Sequence, residues 1–295
     1  MTDAIRHADA LDQLGPNLSV PRRGLVRRYP MVAIGALIFT LVLAMTLAAP
    51  WLATIDPQEI DPTARLRAPS AEHLLGTDAL GRDVWSRTLY GGRISLMVGL
   101  MVGTLASTLG LAIGLLSGYS RIADALAMRI MDGLMSIPAI LLAIALMAVT
   151  RASIFTVILA ITVVEVPRIV RLVRSVVLTL REEAYIEAAV IVGTRPLRIL
   201  AKHILPNTLA PLIVQTTYIC AAAMLIESIL SFLGAGTPPE VPSWGNIMAE
   251  GRTFFQIAPW LILSPGLLLG LTVLSINLVG DGLRGALDPR IARRM

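Results

Sequence analysis

The chain has 295 residues, of which 55% are hydrophobic and 15% charged, and its mean hydropathy is +0.74. A soluble domain carries nearer a quarter charged residues, so the composition excludes a water-soluble globule and marks an integral membrane protein. The net charge of +5 and the pI near 10.0 do not signal a nucleic-acid partner, because the basic residues gather at the ends of apolar runs and report topology.

Of the 25 basic residues 24 are arginine, and Lys202 is the one lysine. Ala201-Lys202-His203 has no glycine-rich turn before it, so the chain offers no Walker A loop for nucleotide phosphates. One cysteine, Cys220, and three scattered histidines exclude a thiol-rich metal site and an intramolecular disulfide. No H-E-x-x-H occurs and no histidine lies deep in an apolar run, so neither a catalytic nor a metal-ligating residue is expected. Cys220 reads as a small packed hydrophobe.

Residues 1–30 form a polar segment that ends in Arg22, Arg23, Arg27 and Arg28. The apolar run that follows, 31–54, is too long for a signal-peptide core, although Leu47-Ala48-Ala49 has the look of a cleavage site. It reads as the first transmembrane helix. Residues 55–93 are hydrophilic, with prolines at 57, 62 and 69, and form an extracytoplasmic segment.

Residues 94–283 carry the remaining spans. The second, Leu96–Gly118, bears a stripe of Gly99, Gly103, Gly110, Gly114 and Gly118 with Ser107 between. In lipid such a stripe lets helices approach closely; the competing reading is a kinked or loosely packed helix. A short loop with Arg121, Asp124, Arg129 and Asp132 precedes the third span, Gly133–Thr150, which contains Pro138. A turn at Arg151-Ala152-Ser153 leads to the fourth, Ile154–Val173, which holds Glu165 and Pro167. An acid at membrane depth usually faces protein or water and suggests function. Arg168, three residues on, favours instead a snorkelling pair near the cytoplasmic surface.

The loop 175–206 is a polar, basic island between apolar runs. Ala184, Ala188 and Ile191 share one helix face, and Glu183 and Glu187 lie one turn apart on another. Gly193 permits a chain reversal. Arg195, Arg198 and Lys202 then follow at helical spacing on a second short helix, and Pro206 suits the first turn of the next. On its residues alone the loop is either a partner contact or an ordinary connector. The fifth span is Thr208–Leu230, with Glu227 near its end, and the sixth is Ile257–Val279, where Pro265 and Gly266 suggest a bend. Residues 284–295 form a polar tail. With six spans and the amino end inside, 18 of the 25 basic residues fall on interior segments and 7 on exterior ones, which satisfies the positive-inside rule.

Glu187-Ala188-Ala189, Gly193 and Ile204-Leu205-Pro206 resemble the EAA loop of ABC-type import permeases. His73–Asp83 (HLLGTDALGRD) and Tyr90–Leu96 (YGGRISL) resemble the amino-terminal signature of the permeases for dipeptides, oligopeptides and nickel. Asn277–Arg284 and Leu287–Arg290 match the same subfamily, whose members commonly have an acid where this chain has Gly285. The resemblance runs from Leu74 to Arg290. It implies an all-α membrane protein of six transmembrane helices with a cytoplasmic EAA coupling loop, the type I ABC importer permease fold. It also implies a non-catalytic permease subunit in the bacterial cytoplasmic (inner) membrane, with both termini cytoplasmic. Expected partners are a homologous second permease, two ATPase subunits, an extracytoplasmic substrate-binding protein and the lipid bilayer. No cofactor is expected on this chain, ATP and magnesium being bound by the ATPases. Ala184, Tyr185, Glu187, Ala188, Ala189 and Gly193 are the implied ATPase-coupling residues. A secondary transporter is the alternative; it would place ion and substrate sites at mid-membrane, where Glu165 and Glu227 are the available acids and both read as near span ends.

Overall fold

The computed structural model describes residues 30–149, 152–238 and 240–287, and the regular elements among them are all helical. The N-terminal segment before Pro30, Thr150 and Arg151 at the end of the third span, Pro239, and the tail beyond Leu287 lie outside the described residues. In chain order the helices are α1 (Pro30–Leu47), α2 (Ala49–Leu52), α3 (Val84–Tyr119), α4 (Arg121–Met135), α5 (Ala139–Ala148) and α6 (Ile154–Arg181). They continue with α7 (Ala184–Ile191), α8 (Pro196–Ile199), α9 (Leu205–Phe232), α10 (Trp244–Gly251) and α11 (Trp260–Leu287). A π-helical turn, Leu200–Ile204, joins α8 to α9.

Side-chain caps set several boundaries. Asp83 accepts from the backbone N–H of Ser86 to open α3, Ser153 and Thr156 form a capping box on α6, and Ser243 accepts from Asn246 N–H on α10. The Asp83 cap starts α3 twelve residues before the hydropathy boundary at Leu96, so the YGGRISL stretch is helical rather than part of the outer loop. The 36 residues of α3 span about 54 Å, well beyond a hydrocarbon core of about 30 Å.

α3 is the central helix, packed against α6 and α9; α11 lies against α9, and α1 lies against α11. The main core interleaves Val98, Val102 and Ala106 of α3 with Ile161, Ile169 and Val173 of α6 and Ile219, Ala223 and Leu230 of α9.

The third span differs from the single helix expected at Gly133–Thr150. α4 and α5 meet at 91° across Ser136-Ile137-Pro138. Pro138 disfavours helical backbone in the residue before it and has no N–H to give the preceding turn. The ten residues of α5 reach only about 15 Å. Among the described residues, four helical runs are long and apolar enough to cross a membrane: α1, α3, α8 through α9, and α11. The bent α4–α5 pair taken as one crossing makes five. α6, about 42 Å long, has the length of a span, but Glu165, Arg168 and Arg171 separate its composition from an ordinary one.

Candidate coupling loop and membrane cavity

The loop between α6 and α9 is anchored from beneath and bare on top. Ile186, Ile199 and Ile204 are almost fully buried and join the main core, with Ala189 half-buried beside them. Ala184, Tyr185, Glu187, Ala188 and Gly193 are exposed. Gly193 takes φ +80°, its N–H donates to Val190 O at 2.9 Å, and Thr194 N–H donates to Ala189 O at 3.0 Å. That is the left-handed helix ending in which glycine avoids the steric cost of a Cβ. The reversal leaves Val190, Ile191, Val192 and Leu197 with 56%, 85%, 84% and 76% of their surface exposed. Four large apolar side chains clustered on a basic loop form a patch that a lone chain leaves wet. The ring of His203 lies 6.2 Å from that of Tyr185, tying the π-helical turn to α7.

Each glycine of the α3 stripe meets a neighbouring helix, but not all the same one. A Cβ at Gly99 would lie 2.8 Å from Met224 Cγ, and one at Gly103 would overlap Cys220 Sγ, both on α9. Ser107 and Thr216 share a hydroxyl hydrogen bond of 2.6 Å at the crossing. Below it, Gly110, Gly114 and Gly118 lie against Ile169, Val173 and Val177 of α6. The side chain of Arg181 donates to Gly118 O at 3.0 Å, closing the end of that interface nearest the α6–α9 loop.

A cavity of ≈ 620 Å³ opens between α6, α9 and α11, walled by Leu172 and Leu180, Asn207, Gln215, Tyr218 and Arg284. Tyr218 donates its hydroxyl to Asp281 across this space. Glu165 is not at a surface. It is fully buried about 17 Å along α6, and Arg168, 48% exposed, reaches back one turn to it at 3.0 Å. Ion pairing satisfies the acid within the protein, so a position at the span end is unnecessary.

A family model described as binding-protein-dependent transport system inner membrane component matches residues 107–293. The chain belongs to that family. It is 53% identical over 92% of its length, and 92% of the relative's, to the probable peptide ABC transporter permease protein y4tQ of Sinorhizobium fredii. The dipeptide transport system permease protein DppC of Alkalihalophilus pseudofirmus is 43% identical, over 90% of this chain and 88% of the relative. The probable D,D-dipeptide transport system permease protein DdpC of Escherichia coli is 41% identical, over 88% of each. An inward-facing structure of the MetNI methionine ABC transporter superposes with a TM-score of 0.57 at 25% identity, over 68% of this chain and 96% of that one. The protein is a permease subunit of an ABC importer, a non-catalytic multi-pass component of the inner membrane with the type I permease fold; the secondary-transporter alternative does not fit. The family implies an ATPase and a substrate-binding protein as partners.

The end of the permease opposite the α6–α9 loop holds two polar networks that sequence reasoning did not assemble. Arg82 pairs with Asp78 at 2.7 Å and with Glu250 of α10 at 2.6 Å, while Arg87, 1% exposed, reaches Glu250 at 3.0 Å. His73 Nδ1 lies 3.1 Å from Asp83 Oδ1. The HLLGTDALGRD stretch thus folds the outer segment onto α10. In the second network Glu227 is fully buried, accepting from Ser231 at 2.9 Å and from the α10 cap Ser243 at 2.8 Å. Asn246 Nδ2 donates to the hydroxyl of Thr237 at 2.9 Å and to Val241 O at 3.1 Å, fastening the loop after α9 over the carboxylate. The one sequence signal was Glu227 standing one turn before Ser231; the return of Ser243 needs the fold.

Proposed function

We propose that this permease carries peptides, of di- to oligopeptide size, inward across the membrane, and that the α7 loop is where ATP hydrolysis is felt. The peptide reading rests on the names of its relatives. The working assembly is this chain, a homologous second permease, two ATPase subunits that hold ATP and magnesium, and an extracytoplasmic binding protein. Both termini are cytoplasmic, in keeping with the 18-to-7 distribution of basic residues. The observation that carries the coupling role is the exposed patch of Val190, Ile191, Val192 and Leu197 on a loop whose other face is pinned by buried isoleucines. A partner groove that closes over this patch, with small Ala184 and Ala188 allowing deep seating and Tyr185, Glu187 and Ala189 around them, would move α7 as a body. Only differential contact with two ATPase states does work on the membrane helices.

Ala188 is exposed, and nothing lies within 4 Å of a Cβ built at Gly193, so enlarging either side chain meets no atom of the permease's own core. Gly193→Val adds backbone strain of about 1–2 kcal/mol at a left-handed position. Ala188→Trp and Gly193→Val therefore leave membrane insertion intact, but abolish stimulation of ATP hydrolysis by substrate-loaded binding protein in the reconstituted complex. Stimulation at the wild-type level in both, at equal assembly, would reduce the loop to a connector.

A further inference from the structure

The cavity between α6, α9 and α11 has one polar wall and one apolar wall. Asn207, Pro211, Gln215 and Tyr218 follow one another along a single face of α9 at helical spacing, and Leu172 and Leu180 close the α6 side. Gln215 stands ten residues, about 15 Å, into α9, at a depth where a polar side chain needs protein or water as its neighbour. It is half-buried on the cavity wall, and its amide has no hydrogen bond within the protein among the described residues. Asn207 Nδ2 donates to His203 O at 2.6 Å and leaves the side-chain carbonyl oxygen open.

The α11 side supplies the charge. Gly280 has no side chain to hold the two helices apart; a Cβ there would overlap the Thr217 hydroxyl. That close approach lets Tyr218 donate to Asp281. Arg284, one turn further along α11, lines the same cavity and forms no ion pair or hydrogen bond among the described residues. The carboxylate is engaged by a hydroxyl, and the guanidinium is left open.

What all peptides share is their backbone amides and terminal charges; their side chains differ. An amide side chain carries both donors and an acceptor and so matches a peptide bond, and a guanidinium binds a carboxylate through two parallel hydrogen bonds. A leucine wall makes no polar demand on whatever side chain meets it. The face from Asn207 to Tyr218 is about 16 Å long, the reach of an extended chain of about five residues. The ≈ 620 Å³ of the cavity is ample for a small ligand.

We propose that this cavity is a peptide-binding site in which Arg284 takes the carboxyl-terminal carboxylate and Gln215 and Asn207 hydrogen-bond the backbone amides. The inference rests on the peptide reading above and adds to it the residues that would hold a peptide without regard to its sequence.

The test uses the nucleotide-free importer complex in nanodiscs. Cys220→Ser removes the native thiol, and Ala210→Cys places one on the cavity wall, where its rate of reaction with a water-soluble methanethiosulfonate reports occupancy. Tri-alanine is the probe; tri-alanine amide, which lacks the carboxylate, and acetate, which lacks the peptide bonds, are the comparisons. Tri-alanine slows the reaction at the lowest concentration of the three, and the amide needs about tenfold more, the loss expected for a charge-assisted hydrogen bond. Arg284→Gln raises the tri-alanine requirement to that of the amide, and Gln215→Leu raises the requirement for both peptides alike. Uptake of tri-alanine by the wild-type complex with its binding protein is measured alongside. Uptake without protection of the thiol at residue 210 overturns the site and leaves the peptide reading standing. A thiol there that never reacts means that the second permease fills the space, with the same consequence. Protection by acetate equal to that by tri-alanine overturns the backbone contacts, and undiminished protection in Arg284→Gln overturns the role of the arginine. Absence of uptake refutes the peptide reading, and the site with it.

Discussion

The contact between α3 and α6 is close enough for one methyl group to be decisive. A Cβ on Gly114 would stand 2.7 Å from Val173 Cβ, 2.9 Å from its Cγ1 and 3.0 Å from Val170 O, against an ordinary carbon contact of about 3.5–4.0 Å. Gly114→Ala therefore forces the two helices apart by roughly 1 Å, or strains them in place, at a cost of about 1–3 kcal/mol typical of overpacking. The same substitution gains up to about 1 kcal/mol in helix propensity, which blurs a single measurement. Gly270→Ala in α11 isolates the packing term, because it makes the same propensity change with nothing within 4 Å. The assay is the thermal unfolding midpoint of the purified complex in one detergent. Gly114→Ala melts below Gly270→Ala. If Gly114→Ala melts at or above Gly270→Ala, the interface is slack and the reasoning fails.

Glu227→Ala leaves the hydroxyls of Ser231 and Ser243 without their acceptor, and at about 1–3 kcal/mol per orphaned buried group the outer loop loosens. Limited proteolysis between Leu233 and Val241 reports it, with Glu227→Gln closer to wild type. Arg87→Ala removes a buried cation from Glu250 and Asp78 and costs about 3–5 kcal/mol; assembled complex recovered per cell is the measure, and an undiminished yield would show the network to be dispensable. Reporter fusions after Asp61 and after Val241 read as exterior; a cytoplasmic signal from either would invert the topology.

Much of the architecture could be read from the chain because hydropathy registers helices that face lipid. It is silent on polar helix. The first turns of α3, Val84 to Arg93, carry two arginines and two adjacent glycines and read as loop, yet they are helical because Asp83 caps them and the Trp244 ring packs on Gly92. The glycine stripe was visible as a periodicity, but no periodicity can reveal that its partner changes from α9 to α6 at Ser107. Pro138 was visible as well; whether a proline bends a span slightly or breaks it depends on what the flanking turns pack against, and here Asp124 and Asp132 tie α4 to α6. The loop at Glu187 to Gly193 was legible because its turn needs one residue type at one place. The Glu227 cage was not, since its donors come from three separate stretches.

The unbroken helical run from Pro196 to Phe232 has a mechanical corollary. Its 37 residues make a rod of about 55 Å. Ile199 and Ile204 wedge one end beneath α7, and Glu227 and Ser231 clasp the outer loop near the other. A tilt of about 5° around the midpoint swings each end by roughly 2.4 Å, in opposite directions. Pro211 withholds one hydrogen bond from the ladder, so bending, where it occurs, is concentrated on the α7 side of that midpoint. A rod of this kind, if it tilts, carries its two ends in opposite directions, with Pro211 as the one place in it that gives.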